Sequence, residues 1–383
     1  MNNATAKSAL AQRTGALELP FWPLGLATLW EFYFAGVRPL DHLTVAFYGI
    51  LFVLQANRTI DAEKLVKTYM LCAPLFLAVA VGAVFNRGSW RPTIGMLEGI
   101  FLLFLFSSAN NDTEKAVRFL RALITVHAAA LLLQFVVFEF SHITINYFGW
   151  LGRATRVDVS GGIRPGGLFL EPAAFCLVMF SLLSAFRLLG AKCWWIEFAG
   201  ILSILLSLSL WGVGSTIVYL TLFRPKWLVV LLPLLIVTAV YLYIKFGSLL
   251  SRDGIVGKLV VHRLMNIGKD KSGQARYGAL LDGRVHSQWF LWFGKGVSDN
   301  YESYGANGLS FLLTAMGLIG SVALWSILFV VAPAKRRFRA VICFVFMLSA
   351  ANFWTSLWLW AWLALVVDVP PPERTNPTQN AIP

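Results

Sequence analysis

The chain has 383 residues, of which 58% are hydrophobic and only 13% are charged, and its mean hydropathy is +0.69. So few polar side chains cannot cover the surface of a soluble fold of this length, and the composition therefore predicts a membrane protein with several spans. The basic residues that give the net charge of +13 lie between apolar segments rather than on one face. This distribution favours membrane orientation and contact with membrane lipids or anionic, lipid-like partners, and no nucleic acid is expected.

Apolar segments long enough, or nearly so, to cross a bilayer follow one another along the chain. They cover residues 21–37, 42–56, 69–85, 93–109, 119–138, 172–186, 194–210, 212–223, 227–246, 309–332 and 341–367. The pattern predicts an all-α polytopic membrane protein with about 11–12 transmembrane helices. Residues 1–19 lack the short apolar core of a cleavable signal, so we expect the first segment to act as an uncleaved anchor. The last segment is longer than one span requires and has room for a break near Asn352, which leaves the side of the C-terminal tail open.

Basic residues cluster on alternate connections, at residues 7–13, 58–67, 115–118, 187–192, 224–226 and 335–339. By the positive-inside rule, these connections are cytoplasmic. Two long connections lie on the opposite, extracytoplasmic side, where loops of this length are exempt from the rule. Because such loops in a compact protein are usually functional, we expect the function to be extracytoplasmic.

This pattern divides the chain into six parts. They are N-terminal transmembrane helices (1–140), a first long periplasmic loop (141–170), central transmembrane helices (171–246), a second long periplasmic loop (247–308), C-terminal transmembrane helices (309–367) and a polar tail (368–383).

A glycine- and proline-rich stretch, residues 161–175, ends the first long loop and enters the next apolar segment. Its four glycines permit positive φ angles and let a ligand approach the main chain closely. Pro172, which follows Glu171, suits the first turn of a helix, where the positive end of the dipole favours a carboxylate or a phosphate. Two interpretations stay open: a helix cap with a local ion pair, and a ligand-binding turn at the membrane boundary.

The second long loop combines basic and aromatic side chains. Arginine pairs bidentately with phosphate, and aromatic faces stack on sugar rings or contact a lipid at the interface. A solvated loop with interfacial anchors is the alternative. The residues concerned are Arg252, Lys258, Arg263, Lys269, Lys271, Arg276, Arg284 and Lys295, set among Tyr277, Trp289, Phe290, Trp292, Phe293, Tyr301 and Tyr304.

Several motifs together resemble a known family. They are the arginine, glycine and Glu-Pro stretch before a central span, Ser207-Leu208-Ser209, Ala306-Asn307-Gly308-Leu309 and Gly317-Leu318-Ile319-Gly320. This part of the chain, Arg156 to Gly320, is similar to bacterial polysaccharide polymerases of the Wzy type and to the related O-antigen ligases. Polymerases of this type carry an arginine and a glycine enclosing ten residues in the first loop and fifteen in the second. Here Arg156 with Gly167 and Arg252 with Gly268 enclose those numbers.

The resemblance implies a multi-pass enzyme of the bacterial inner membrane, a metal-independent, inverting glycosyltransferase of the C-type superfamily without a cofactor. Its substrate would be an undecaprenyl-diphosphate-linked oligosaccharide, with the growing glycan transferred to a sugar hydroxyl of an incoming repeat unit. A chain-length regulator and a flippase are the protein partners that such an activity implies.

The implied reaction assigns roles to particular residues. Arg164, Arg276 and Arg284, helped by Arg156, are expected to contact the departing diphosphate. Glu171 and His286 are the candidate general bases, and Glu171 alternatively orients Arg164. Further substrate-binding candidates are Arg252, Trp289, Trp292 and Asn307.

Two other functions stay open. The first is an O-antigen ligase that transfers the glycan to another acceptor, such as lipid A core. Ligases of the family carry His-Asn where this chain has Ala306-Asn307. This difference disfavours the ligase interpretation. The second is a transporter or flippase of lipid-linked sugars. The chain has no evident internal repeat and concentrates its charge in the outer loops, which favours chemistry at the outer face.

Ionisable and aromatic residues inside the spans have structural interpretations. We expect Glu31, Glu98 and Arg121 to pair helices or to reach the interface, and His127 to be a core residue. Four tryptophans, Trp354, Trp358, Trp360 and Trp362, are typical of a membrane-interface belt.

Overall fold

The computed structural model describes residues 18–29, 38–55, 62–86, 90–109, 111–147, 165–169, 171–207, 209–229, 292–294, 308–332, 334–350 and 356–368. These residues form helices and short connections, with no strand among them. The helices are α1 (Leu24–Ala27), α2 (Pro39–Leu54), α3 (Ala62–Asn86), α4 (Trp90–Ser108), α5 (Thr113–Ser141), α6 (Pro172–Leu188), α7 (Trp194–Leu206), α8 (Leu210–Phe223), α9 (Gly308–Ser326), a π-helix (Ile327–Val331), α10 (Ala334–Ala350) and α11 (Leu357–Asp368).

Most of the predicted apolar segments coincide with these helices. Two stretches, Glu63–Val84 in α3 and Thr113–Ser141 in α5, are long and apolar enough to cross a bilayer, and seven shorter helices are also apolar. This all-helical arrangement of the described residues is consistent with an α-helical membrane protein. The predicted segment at 227–246 lies mostly outside the described residues.

Local sequence signals explain where several helices begin. Asp112 caps α5, because its carboxylate accepts hydrogen bonds from the backbone N–H groups of Glu114 and Lys115. Proline occupies the first turn of both α2 and α6, where its missing N–H costs nothing.

Two buried helices, α6 and α11, form the centre of the bundle. Every residue of α6 except Ala173 and Arg187 is buried, and so is every residue from 356 to 367. Around α6 lie α5, α7, α8 and α10, whereas α11 packs between α6 and α4. Helix α4 in turn contacts α2 and α3, and α3 contacts α9.

The tryptophans of α11 belong to this core rather than to an interface belt, so that expectation is wrong. Trp358, Trp360 and Trp362 are fully buried. The Nε1–H of Trp358 donates to Ser181 Oγ at 2.6 Å, and that of Trp362 donates to Ser184 Oγ at 3.2 Å. Trp354 lies outside the described residues.

The last predicted segment contains two helices in the structure. Helix α10 ends at Ala350 and α11 begins at Leu357. Since the Trp–Ser pairs advance in the same direction along both helices, α11 runs parallel to α6. Its Val367 lies beside Lys64 and Lys67 at the beginning of α3. Helix α11 therefore ends at the same end of the bundle as Lys64 and Lys67, which we name the basic end.

A buried network of ion pairs and hydrogen bonds lies at this basic end. The Glu197 carboxylate of α7 is fully buried and accepts hydrogen bonds from Arg224 Nε at 2.8 Å and from the Tyr219 hydroxyl at 2.9 Å. A second Arg224 nitrogen reaches the other carboxylate oxygen at 2.7 Å, and Arg187 Nη1 lies 3.6 Å from the same oxygen. The hydrogen bonds that Arg224 donates to the Glu197 carboxylate raise the pKa of the Arg224 guanidinium. One carboxylate thus joins α6, α7 and the end of α8.

Removal of the Glu197 charge should destabilise the protein, because it leaves two arginines facing a neutral group. We expect Glu197→Gln to lower the free energy of unfolding by about 3 kcal/mol, at the lower end of the range for a broken buried pair since Arg224 is partly exposed. Chemical unfolding in mixed micelles measures the change.

The matched control is Glu114→Gln. Glu114 pairs with Arg118 at 3.9 Å on the exposed start of α5, where an ion pair contributes little. Equal unfolding curves for the two variants would contradict the structural role of Glu197.

Candidate functional site at the start of helix α6

Gln134 of helix α5 joins both ends of the first long loop. Its side chain is fully buried. The Oε1 atom accepts hydrogen bonds from the backbone N–H groups of Gly166 at 3.0 Å and Gly167 at 2.9 Å, and Nε2 donates to the Ile145 carbonyl at 2.8 Å. One amide therefore holds the chain where it leaves α5 and where it returns toward α6.

The two glycines of this turn serve its packing. Gly167 has φ +58, in the left-handed region. A Cβ on Gly166 would lie 2.5 Å from the Phe169 carbonyl oxygen, and one on Gly167 would lie 3.3 Å from Leu131 Cβ. The predicted positive φ is thus confirmed at Gly167.

The expected approach of a ligand to the main chain does not hold at Gly166 and Gly167. Both glycines are buried, and both N–H groups already donate to Gln134. Gly161 and Gly162 lie outside the described residues.

An aromatic contact fixes the residue that follows the turn. Phe169 is buried and stacks on the His127 ring at a centroid distance of 5.4 Å. It also meets Phe175 edge to face at 6.2 Å. His127 Nε2 in turn lies 3.0 Å from the Thr28 hydroxyl, so the interpretation of His127 as a core residue is confirmed.

Glu171 occupies the N-cap of α6, with Pro172 at the first helical position, so the predicted Glu-Pro helix start is confirmed. The carbonyl of Glu171 accepts hydrogen bonds from the N–H groups of Ala174 at 3.0 Å and Phe175 at 3.2 Å. Its half-buried side chain makes no capping hydrogen bond. Helix α6 therefore begins at Pro172 without a side-chain cap from Glu171.

A short piece of the second long loop packs into a break in helix α9. Gly317 of α9 has φ +61 and ψ −165, and Gly294 has φ +75. A Cβ on Gly317 would lie 2.5 Å from both Gly294 N and the Trp292 carbonyl oxygen. Only glycine permits this approach, so the loop backbone enters a notch in the helix. We name residues 292–294 together with Gly317 the α9 notch.

The α9 notch lies well inside the helix. Gly317 follows the first residue of α9, Gly308, by nine positions, which corresponds to about 14 Å along a helix axis. Irregular backbone at membrane depth is tolerated where protein or a cavity surrounds it. Gly294 is buried there, whereas the Trp292 side chain is 53% exposed.

The described residues contain two of the predicted site residues. Glu171 lies at the N-cap of α6, and Trp292 lies at the α9 notch. The remaining predicted site residues fall outside the described residues: Arg156, Arg164, Arg252, Arg276, Arg284, His286, Trp289 and Asn307.

Sequence reasoning did not identify two polar features. The first is Gln134, whose only signal is an amide within a long apolar helix. The second is the set of ionisable residues that surrounds Glu98 between α2 and α4: His42 Nδ1 lies 2.5 Å from Glu98 Oε1, and buried Asp41 lies 3.9 Å from Arg38. The prediction that Glu98 pairs two helices is confirmed by His42, whereas Arg121 is exposed on α5 and Glu31 lies outside the described residues.

Within the described part of the chain, no group of three or more His, Cys, Asp or Glu side chains is arranged to hold a metal ion. Comparison with protein-family models gives no match, and comparison with curated protein sequences gives none either.

Loss of the Gln134 amide should release the turn before α6. In Gln134→Leu, the N–H groups of Gly166 and Gly167 lose their shared acceptor, and buried donors without a partner cost about 1–3 kcal/mol each. We expect faster amide hydrogen exchange in the peptide that covers residues 165–169. Gln55→Leu is the control, since no described residue donates to the side-chain oxygen of Gln55. Unchanged exchange in Gln134→Leu would refute the anchoring role.

Proposed function

We propose that this protein is a polysaccharide polymerase of the inner membrane that elongates a glycan on undecaprenyl diphosphate at the periplasmic face. The observation that carries the proposal is the Gln134 anchor. It holds the end of the first long loop near the start of α6, with Glu171 at the N-cap and Arg164 two residues before Gly166 in the sequence. A carboxylate at the start of a helix and an arginine shortly before the same turn in the sequence suit a reaction that releases a diphosphate.

The proposed chemistry divides between these residues. The sugar hydroxyl of the incoming repeat attacks the anomeric carbon of the growing glycan, a new glycosidic bond forms, and the bond to the diphosphate breaks. Arg164, Arg276 and Arg284 stabilise the negative charge that develops on the diphosphate. The hydroxyl proton passes to a general base, for which Glu171 and His286 are the candidates.

The α9 notch supports a site that extends below the membrane surface. Residues 292–294, a described part of the second loop, contact the middle of α9. Such a position suits a lipid-linked substrate, whose diphosphate lies at the interface and whose tail lies in the bilayer.

A transporter of lipid-linked sugars is the second candidate, and two observations favour it. Transporters use broken helices and polar residues near the middle of the membrane. The break at Gly317 is of the first kind, and the group of Asp41, His42 and Glu98 is of the second.

Reconstitution with a lipid-linked repeat unit as the only substrate separates the candidates. A polymerase lengthens the glycan, whereas a ligase requires another acceptor and a transporter leaves the repeat unchanged. We expect Arg164→Ala and Arg276→Ala each to lower polymer formation by at least about 100-fold, the loss typical of one missing oxyanion-type donor. Polymer of normal length in both variants would refute the arginine assignment.

The role of Glu171 needs a pair of variants. If Glu171 is the base, Glu171→Gln abolishes polymer formation while the lipid-linked substrate still binds. If Glu171 instead orients Arg164, Glu171→Gln keeps activity and Arg164→Lys loses it, because lysine lacks the planar, bidentate fork. Protein that accumulates in the membrane at the normal level is required for each comparison.

A further inference from the structure

A slot opens at the basic end of the bundle, away from the start of α6. It has a volume of about 140 Å³ and lies between α3, α4, the π-helix and the end of α11. Its wall is mainly apolar, with Leu71, Leu103, Ile327 and Val367 beside the Cys72 thiol. A dry cavity of about 150 Å³ accommodates a molecule the size of benzene, so the slot has room for several carbons of an alkyl chain.

The mouth of the slot is positively charged. Lys64 and Lys67 line it from the first two turns of α3, and the N-terminal end of that helix adds a partial positive charge. Lys64 Nζ donates to the Ala109 carbonyl at 2.5 Å, which fixes this ammonium at the end of α4. Lys67 is exposed, and no carboxylate of the described residues pairs with it.

Large apolar side chains are exposed on the surface beside the slot. On the neighbouring stripe of α3, Val66, Tyr69 and Met70 are each at least 60% exposed. Three large apolar side chains exposed next to a lysine pair are typical of a helix that meets lipid at its headgroup level.

The π-helix gives the slot one of its walls. Ile327 is the first residue of this π-helix, which extends α9 by five residues. Such irregular turns in a helix occur frequently at functional sites. Here the wider turn lies against the slot, where it contributes an apolar side chain to the wall.

We propose that the slot binds one anionic phospholipid of the cytoplasmic leaflet, with its phosphodiester at Lys64 and Lys67 and part of one acyl chain inside. Charge and shape select this occupant. The exposed ammonium of Lys67, with no carboxylate among the lining residues, favours an anion, and the apolar wall behind it favours an alkyl chain. The site is independent of the proposed polymerase reaction, which takes place at the other end of the bundle.

Cys72 provides a direct test, because its thiol lines the slot and is only 6% exposed. The full chain is placed in nanodiscs of phosphatidylcholine alone, or with phosphatidylglycerol replacing part of it. Alkylation of Cys72 by N-ethylmaleimide is followed by peptide mass spectrometry. We expect phosphatidylglycerol to slow alkylation about threefold, the protection reached at about twice the dissociation constant of the lipid.

Lys67→Gln should abolish this protection, and Lys226→Gln should retain it. Lys226 is an exposed lysine at the same basic end, so both variants lose the same charge. Equal alkylation rates of Cys72 in phosphatidylcholine show that each variant keeps the slot intact. Protection that survives in Lys67→Gln would overturn the proposal in favour of general surface charge. Protection by oleate but not by phosphatidylglycerol would overturn the assignment to a phospholipid.

Discussion

Two hydrogen bonds between α6 and α11 determine how the bundle is assembled. A buried indole N–H must find an acceptor, and Ser181 and Ser184 supply one for Trp358 and for Trp362. Both serine hydroxyls donate backward along α6, to the carbonyls of Val178 and Ser181, which leaves their lone pairs available. Because α6 contacts four other helices and α11 contacts α4, this register relates one side of the bundle to the other.

The residues that form each helix were largely predictable from the sequence, whereas the packing partners of each helix in the bundle were not. Apolar length is a property of a local stretch, so the segments that became α2 to α6 are visible in the sequence. Whether a tryptophan-rich segment lies at an interface or in the core depends on partners elsewhere in the chain. For Trp358 the partner is Ser181, which lies 177 positions away and has no distinctive local pattern.

The candidate site shows the same division between local and distant information. Glu171 followed by Pro172 is a local signal, and it correctly predicted the start of α6. The role of Gly166 and Gly167 could not be inferred from the neighbouring sequence, since the same glycines suit a ligand-binding turn and a packed one. The structure shows a packed turn, because the Gln134 oxygen accepts hydrogen bonds from both N–H groups. That oxygen belongs to a residue more than thirty positions away, so the local sequence could not reveal it.

The burial of α11 has a consequence for the order in which the protein matures. Helix α11 is the latest of the described helices to leave the ribosome, yet it lies between α4 and α6. Helices α4 and α6 therefore cannot reach their final packing when they enter the membrane, and a groove between them must stay available until Leu357 to Val367 arrive. The groove between α4 and α6 is thus filled only after α11 has been synthesised.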